Sequence, residues 1–283
     1  MAEGIALHRL DESRKPEGER ILNDPYAIHF VDPKTLAFAA SHPEEAKRMA
    51  DEMEALFPGL GNSIRARVRY FDDFVRQRLD EGTEQMVIMG AGYDTRAYRI
   101  PGMEKIRVFE VDHPDTQAVK IEKILTIFGA LPGYVAYVPV DLEAEMLADR
   151  LKEHGYDPSK KTLFVLEGLV MYLPPAAVDE MLSFIVHNSG KGSAVIFDYY
   201  PQSVLDGTAG ETGKNIARYL ETQAREQLKF GIVGVTAKTF LAERGFSSIT
   251  EVTATDYKRA YFTGANRHRQ VCDLLHFVHA EVR

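Results

Sequence analysis

From Met86 onward the chain alternates short apolar runs with longer stretches of helical period. The runs "MVIMG", "IRVFEVD", "YVAYVPVD", "TLFVLEG" and "SAVIFDYY" are apolar at successive positions, whereas "DTQAVKIEKILTIFG" and "LEAEMLADRLKEHG" between them repeat apolar residues at helical spacing. Strands that are apolar on both faces and separated by helices make a parallel sheet covered on both sides, so the pattern predicts a doubly wound α/β core. The first 82 residues read instead as helices. In "SHPEEAKRMADEMEALF", Ser41 and Glu44 have the spacing of a capping box, and Gly59 and Gly61 lie just beyond the end. The next helix, "SIRARVRYFDDFVRQRLDEG", sets Ile64, Val68, Phe71, Val75 and Leu79 on one face and stops at Gly82.

After Tyr200, the stretch "PQSVLDGTAGETGKNIARYLETQAREQLKFGIVG" interrupts the alternation, either as an inserted lid or as a surface excursion. A last helix, "TAKTFLAERG", precedes two strand-like runs, "FSSITEVTA" and "LLHFVHAEV". Without a repeat or a low-complexity linker, the chain reads as one domain. It comprises a helical cap over 1–82, a core over 83–200, a lid over 201–235 and a closing helix with strands over 236–283.

In an open parallel sheet the ligand sits outside the carboxyl ends of the strands, near the point where strand order reverses. The residues leaving each strand are therefore the candidates. The first run exits into Gly90, Ala91 and Gly92, the second at Glu110, Val111 and Asp112, and the third at Asp141 and Leu142. The fourth exits at Glu167 and Gly168, the fifth at Asp198, Tyr199 and Tyr200. A single acid at a strand end is commonly solvated or caps a helix. A rim of them accepts hydrogen bonds from hydroxyls and amines and favours positive charge. Gly90 and Gly92 occupy the first and third positions of a dinucleotide fingerprint, but the sixth is Thr95, and Pro101 and Gly102 follow too soon for a long helix. Both this loop and the acidic rim disfavour a pyrophosphate.

One cation stands out. On a wheel of about 100° per residue with Ile64 at zero, Arg67 falls at about 300°, inside the apolar arc, while Arg65, Arg69 and Arg76 lie on the polar side. Arg78 also falls on the apolar arc, but in the last turn, where a cation suits the helix dipole. Arg67 on the buried side requires an anionic partner, a structural carboxylate or a ligand.

Composition narrows the function classes. The 283 residues, 45% hydrophobic, suffice for one sizeable core, and a net charge of −8 argues against nucleic acid. The single cysteine, Cys272, excludes an intramolecular disulfide and a Cys-rich zinc site, which fits a reducing cytoplasm. The N-terminus is charged throughout, and the longest apolar run, "TLFVLEGLVMYL", is too short for a bilayer and carries Glu167. The expectation is a cytoplasmic protein without a membrane partner. His276 and His279, three apart in a strand, point to opposite faces, so no metal site is expected there.

The stretches "NDPYAIHF", "RVRYFDDFV", "VIMGAGYDTRAYRI", "FEVDHP", "VDL" and "LEGLVMYL" together resemble the leucine carboxyl methyltransferase family of S-adenosyl-L-methionine (SAM) enzymes. The likeness includes the microbial branch related to polyketide O-methyltransferases, and "KFGI" with "FLAERGF" extends it towards the C-terminus. The resemblance implies a class I SAM-methyltransferase (Rossmann-like) fold, mostly parallel with an antiparallel C-terminal strand, binding SAM and releasing S-adenosyl-L-homocysteine. It implies that Arg67 meets the SAM carboxylate, Gly90 and the Gly92 loop approach its methionine part, and Asp112 takes the ribose hydroxyls. Asp141 with Leu142 would hold the adenine, and Glu167 would lie near the amino group. The segment "LHRLDESRKPEGER" resembles the microbial entry segment, in which a basic residue can reach the cofactor, and Arg9, Arg14 and Lys15 compete for that role without one being assigned. The function implied is O-methylation of a carboxylate or hydroxyl of a small-molecule acceptor. Methylation of a protein C-terminal carboxylate is the alternative, and a nicotinamide-dependent oxidoreductase, opposed by Thr95 and the acidic rim, is more remote. The sequence assigns no catalytic residue; Tyr199 and Tyr200 could face the acceptor or pack the rim.

Overall fold

The computed structural model describes residues 2–142, 145–223, 226–232 and 236–283. Its centre is a seven-stranded sheet of β1 (Gln85–Met89), β2 (Arg107–Asp112), β3 (Val135–Pro139), β4 (Thr162–Leu166), β5 (Ala194–Tyr199), β6 (Phe246–Val252) and β7 (His276–Val282). The order is β3-β2-β1-β4-β5-β7-β6. β1 to β5 are mutually parallel, with Val87 opposite both Phe109 and Phe164, and β7 runs antiparallel between β5 and β6. Each apolar run of the sequence became one of these strands. β1, β4 and β5 are buried at every residue, as strands covered on both faces must be, whereas the edge strand β6 alternates buried and accessible positions.

The alternation along each strand divides the core into two layers. Met86, Ile88, Leu163, Val165 and Ile196 pack on one side with Phe71 and Val75, and Val87, Met89, Phe164, Leu166 and Phe197 on the other with Leu182, Ile185 and Leu241. The chain reaches the sheet through α1 (Ala2–Ser13), α2 (Pro33–Ser41), α3 (Pro43–Leu56) and α4 (Leu60–Asp80). The crossovers carry α5 (Arg96–Arg99), α6 (Pro114–Phe128), α7 (Leu147–Glu153) and α8 (Pro175–His187). α9 (Gln202–Leu205), α10 (Gly210–Thr222), α11 (Ala237–Ala242) and α12 (Ala254–Tyr261) complete the described α-helices. Among the described residues no helix is long and apolar enough to cross a membrane.

Three local expectations are corrected or limited. Ser41 does not cap α3: it ends α2, its Oγ donating to Ala37 O at 2.8 Å, and α3 begins after His42 with Pro43 in its first turn. Proline's fixed φ and missing N–H set that start without a capping side chain. Gly59 lies beyond α3 as expected, but Gly61 falls inside α4; with φ +74° Gly59 is the residue that precedes α4, where a Cβ would lie 2.5 Å from the Val271 carbonyl carbon. The segment 201–235 contains α9 and α10, with Ile216 and Leu220 buried, while 224, 225 and 233–235 lie outside the described residues.

Candidate functional site

The strand order reverses between β1 and β4, which opens a crevice at their carboxyl ends. On one side lies the loop after β1. Gly90 has φ +62°, and a Cβ there would meet Leu169 Cδ1 at 3.0 Å, so glycine lets the two strand exits approach. Asp112, where β2 ends, accepts from Gly92 N and, through its other oxygen, from His113 N at 2.7 Å. Burial raises its pKa, against the lowering effect of those two bonds. The acid at the second strand end thereby fixes the glycine loop of the first. Next to it, Val140 N donates to Asp112 O at 2.8 Å, which brings the exit of β3 alongside.

On the other side, α4 delivers Arg67 to the crevice. Arg67 is buried; its Nε donates to Glu167 Oε1 at 3.0 Å and its Nη1 to Asp198 Oδ2 at 2.6 Å. Asp198 has no solvent exposure and also accepts from Gly168 N at 2.6 Å. Burial pushes its pKa up, with Arg67 and the Gly168 bond opposing. Burial works against the charge on Arg67 too, but Asp198 and Glu167 outweigh it and the pKa is raised.

Glu167 Oε2 lies 2.5 Å from Nη1 of Arg96, which is 1% exposed. Arg96 also reaches Asp72 Oδ1 at 2.8 Å, Asp94 Oδ2 at 2.6 Å and Val68 O at 3.2 Å. Arg99 grips both oxygens of Asp72, at 2.5 and 2.7 Å. Burial acts to raise Asp72, but Arg99 and Arg96 overcome it and its pKa is lowered; Asp94 is held at about 2 in the same way, chiefly by Arg96. From α1, Arg9 donates to Tyr93 O at 2.5 Å and lies 3.2 Å from Asp24, which accepts from Thr95 Oγ1 at 2.7 Å. Four arginines and five carboxylates thus form a connected and almost wholly buried array behind the crevice, a formal excess of one negative charge.

A model of the leucine carboxyl methyltransferase family matches residues 2–186. The chain belongs to the leucine carboxyl methyltransferase family. A protein of Mycolicibacterium smegmatis is 32% identical over 201 residues, covering 70% of this chain and 65% of its own length. One of Mycobacterium marinum is 35% identical over 193 residues, 65% of this chain and 61% of its own. The match thus spans just under two thirds of these two relatives. One of Mycobacteroides abscessus is 28% identical but covers 90% of this chain and 85% of its own. The names of all three class them as S-adenosyl-L-methionine-dependent methyltransferases without giving an acceptor. Among solved structures, a protein of Thermobifida fusca named as a methyltransferase superposes with a TM-score of 0.59 at 16% identity, covering 84% of this chain and 88% of its own. A Streptomyces avermitilis protein gives 0.58 at 16%, covering 84% and 90%. At that identity the likeness concerns the fold, which is that of the class I SAM methyltransferases.

The residues that the family pattern singles out fall into three groups in space. Arg67 and Glu167 are in direct contact, and Gly90, Gly92 and Asp112 form the loop across from them. Asp141 and Leu142 lie at the third strand exit, where Asp141 N donates to Glu145 Oε2 at 2.9 Å and Leu142 faces Leu173 and Met181 beside α7 and α8. Of the three N-terminal cations, Arg9 meets the loop; Lys15 pairs with Glu12 at 2.8 Å, and Arg14 is exposed. Several rim assignments change. Glu110 is interior, fully buried with Lys120 Nζ at 2.8 Å. Arg78 does not merely suit a helix end: it is buried and bonds Glu281 Oε1 at 2.7 Å and Gly192 O at 2.6 Å. Tyr199 bonds Glu251 and lies with its ring tilted against His276, whereas Tyr200 is buried beside Arg67 and held protonated by that burial.

Sequence reasoning missed Arg96, Arg99, Asp72 and Asp94. α5 is four residues long, too short for any periodicity to mark a buried arginine, and Asp72 falls at about 80° on the α4 wheel, just outside the apolar arc. The signal available was the charge density of "YDTRAYR" within a loop expected to lie against the core.

Proposed function

We propose that the chain is a SAM-dependent O-methyltransferase acting on a carboxylate or hydroxyl oxygen of a small-molecule acceptor. The observation that carries this reading is the buried array of four arginines and five carboxylates with its excess negative charge, set at the switch point of the sheet. SAM bears a carboxylate, an ammonium and a sulfonium, a net positive charge; a nicotinamide dinucleotide bears two phosphates, which this array would repel. The residues present fit the group. Arg67 would receive its carboxylate and Glu167 its ammonium, while Asp112 takes the ribose hydroxyls and Asp141 with Leu142 the adenine. Gly90 and the Gly92 loop would approach its methionine part.

When bound, SAM supplies a methyl group on a sulfonium, open to in-line attack. The chain's own contribution is to orient, desolvate and exclude water. A carboxylate acceptor is already ionised at neutral pH and asks for no base. Burial keeps the phenols of Tyr172 and Tyr200 protonated at neutral pH, so near Arg67 they can donate hydrogen bonds but not accept a proton. The acceptor would lie between the N-terminal helices and the proposed lid, which meet where Phe57 packs edge-on against Tyr219 and Asn215 donates to Leu56 O at 3.3 Å. A cytoplasmic setting suits the buried free thiol of Cys272.

Titration calorimetry with SAM, S-adenosyl-L-homocysteine and NAD tests the cofactor: saturable binding of NAD and none of SAM would overturn the reading. Transfer of radiolabelled methyl into a library of small acids and phenols, beside lysate protein, tests the acceptor. Label appearing in protein alone would replace the small molecule by a protein carboxylate.

A further inference from the structure

We infer that Arg96 is a positioning residue for Glu167, presenting one carboxylate oxygen to the cofactor's ammonium. The inference rests on the reading of Glu167 as the ammonium partner. Glu167 has two oxygens and, in this structure, two arginines: Oε1 on Arg67 Nε at 3.0 Å and Oε2 on Arg96 Nη1 at 2.5 Å. The two cations are not equivalent. Arg67 already holds Asp198 and is assigned to the ligand's carboxylate as well, so its charge is shared among three anions. Arg96 has no such second duty and cannot swing. Its Nε is fixed by Asp72, its Nη1 by Asp94 and its Nη2 by Val68 O, its guanidinium lies 5.6 Å from the Phe71 ring centre, and water does not reach it. A carboxylate anchored through one oxygen to an immobile cation keeps the other in a fixed place. Arg96 thus joins α4, the glycine loop and the exit of β4 at one guanidinium, three elements whose relative placement defines the ligand's amino-acid end.

A lysine cannot replace it. A single ammonium lacks the planar fork that holds Asp72 on Nε and Val68 O on Nη2 while Nη1 reaches Asp94 and Glu167. The experiment compares S-adenosyl-L-homocysteine with its analogue lacking the α-amino group, by calorimetry on the full chain, well below each variant's melting temperature. Wild type is expected to prefer the amino compound by at least tenfold, and E167Q to lose that preference. R96K is expected to lose it as E167Q does, while its affinity for the deaminated analogue stays within threefold of wild type. A merely structural arginine would lower both affinities equally. Equal affinity of wild type for the two compounds overturns the Glu167 reading and the inference with it. Full preference in R96K, with E167Q having lost it, overturns the inference alone. Should R96K fail to fold, D72N removes one carboxylate that fixes the guanidinium and leaves Arg96 and Glu167 in place. It is expected to lose at least threefold of the preference, and a wild-type preference there refutes the role of Arg96.

Discussion

Replacing Arg67 separates its two partners into two measurable effects. In Arg67→Ala, Asp198 loses its 2.6 Å ion pair at a position with no solvent exposure, and Glu167 keeps only Arg96. Breaking a buried pair from one side leaves an uncompensated charge and costs about 3–5 kcal/mol. For a chain of this size, that lowers the melting temperature by about 6–10 °C, at roughly 2 °C per kcal/mol. Arg67→Lys retains a cation for Asp198 but has no second nitrogen for a ligand carboxylate. Its melting loss should be less than half that of the alanine variant. A charge-assisted hydrogen bond contributes about 1.5–3 kcal/mol, so the lysine variant should bind S-adenosyl-L-homocysteine about 10- to 100-fold more weakly. The pair of measurements is a thermal melt for each variant and a calorimetric titration on the folded protein. A lysine variant that melts lower yet binds as tightly as wild type would refute the assignment and leave Arg67 a structural cation only.

Other substitutions probe the loop and the pH response. Asp112→Asn can no longer accept from both Gly92 N and His113 N, and should weaken cofactor binding at least tenfold while costing less in melting temperature than Arg67→Ala; the reverse order would mark Asp112 as structural. Gly90→Ala forces a Cβ onto φ +62° and into Leu169, costing about 1–2 kcal/mol in a denaturant titration; an unchanged midpoint would show that the loop relaxes. His279, between Phe74 and Tyr70, has its pKa lowered to about 4 by burial and then by Arg78. Its unfolded value is about 6.5, so the unfolded chain gains a proton that the fold excludes: stability is complete above pH 6.5 and falls as pH drops towards 4. Discounted for partial exposure, the loss is about 1–2 kcal/mol. His279→Gln should flatten that part of the melting curve. His8, lowered to about 3 by burial and Arg65, maintains the remainder, and a slope identical to wild type would refute the assignment.

The sheet was legible because its signal is local. Each strand is a run apolar at successive positions, and the register that buries Met86 and Ile88 on one face and Val87 and Met89 on the other follows from the period of two. Arg67 was legible for a related reason: a 21-residue helix fixes which face is buried, so a cation on that face is conspicuous. Where an element is short or capped from a distance, the period says nothing. The start of α3 was misread because a proline set it, and Arg78 because its partner Glu281 lies 203 positions away in the chain. Glu110 was placed on the rim because a strand end cannot be located to a residue from its pattern; two positions decide between Asp112, which holds the glycine loop, and Glu110, which pairs with Lys120 inside.

The array around Glu167 is costly as a means of stability. Buried ion pairs replaced by well-packed apolar side chains are often neutral or better for the fold. Its arrangement is better explained by what it holds in place. Arg99 neutralises Asp72, Asp72 and Asp94 fix Arg96, and Arg96 holds one oxygen of Glu167, so the order of the network leads from the interior towards the crevice. Arg67 stands at its outer end with Asp198 behind it. If the network served only the fold, the loss of any arginine would show chiefly as a melting shift of similar size. If it serves the ligand, the losses should grade: Arg99→Lys, deeper in the network, should lower the melting temperature and leave ligand affinity near wild type, and Arg67→Lys should lose affinity with the smaller melting shift. Equal affinity losses in these two variants would show that the array acts as one structural unit without the graded order its geometry implies.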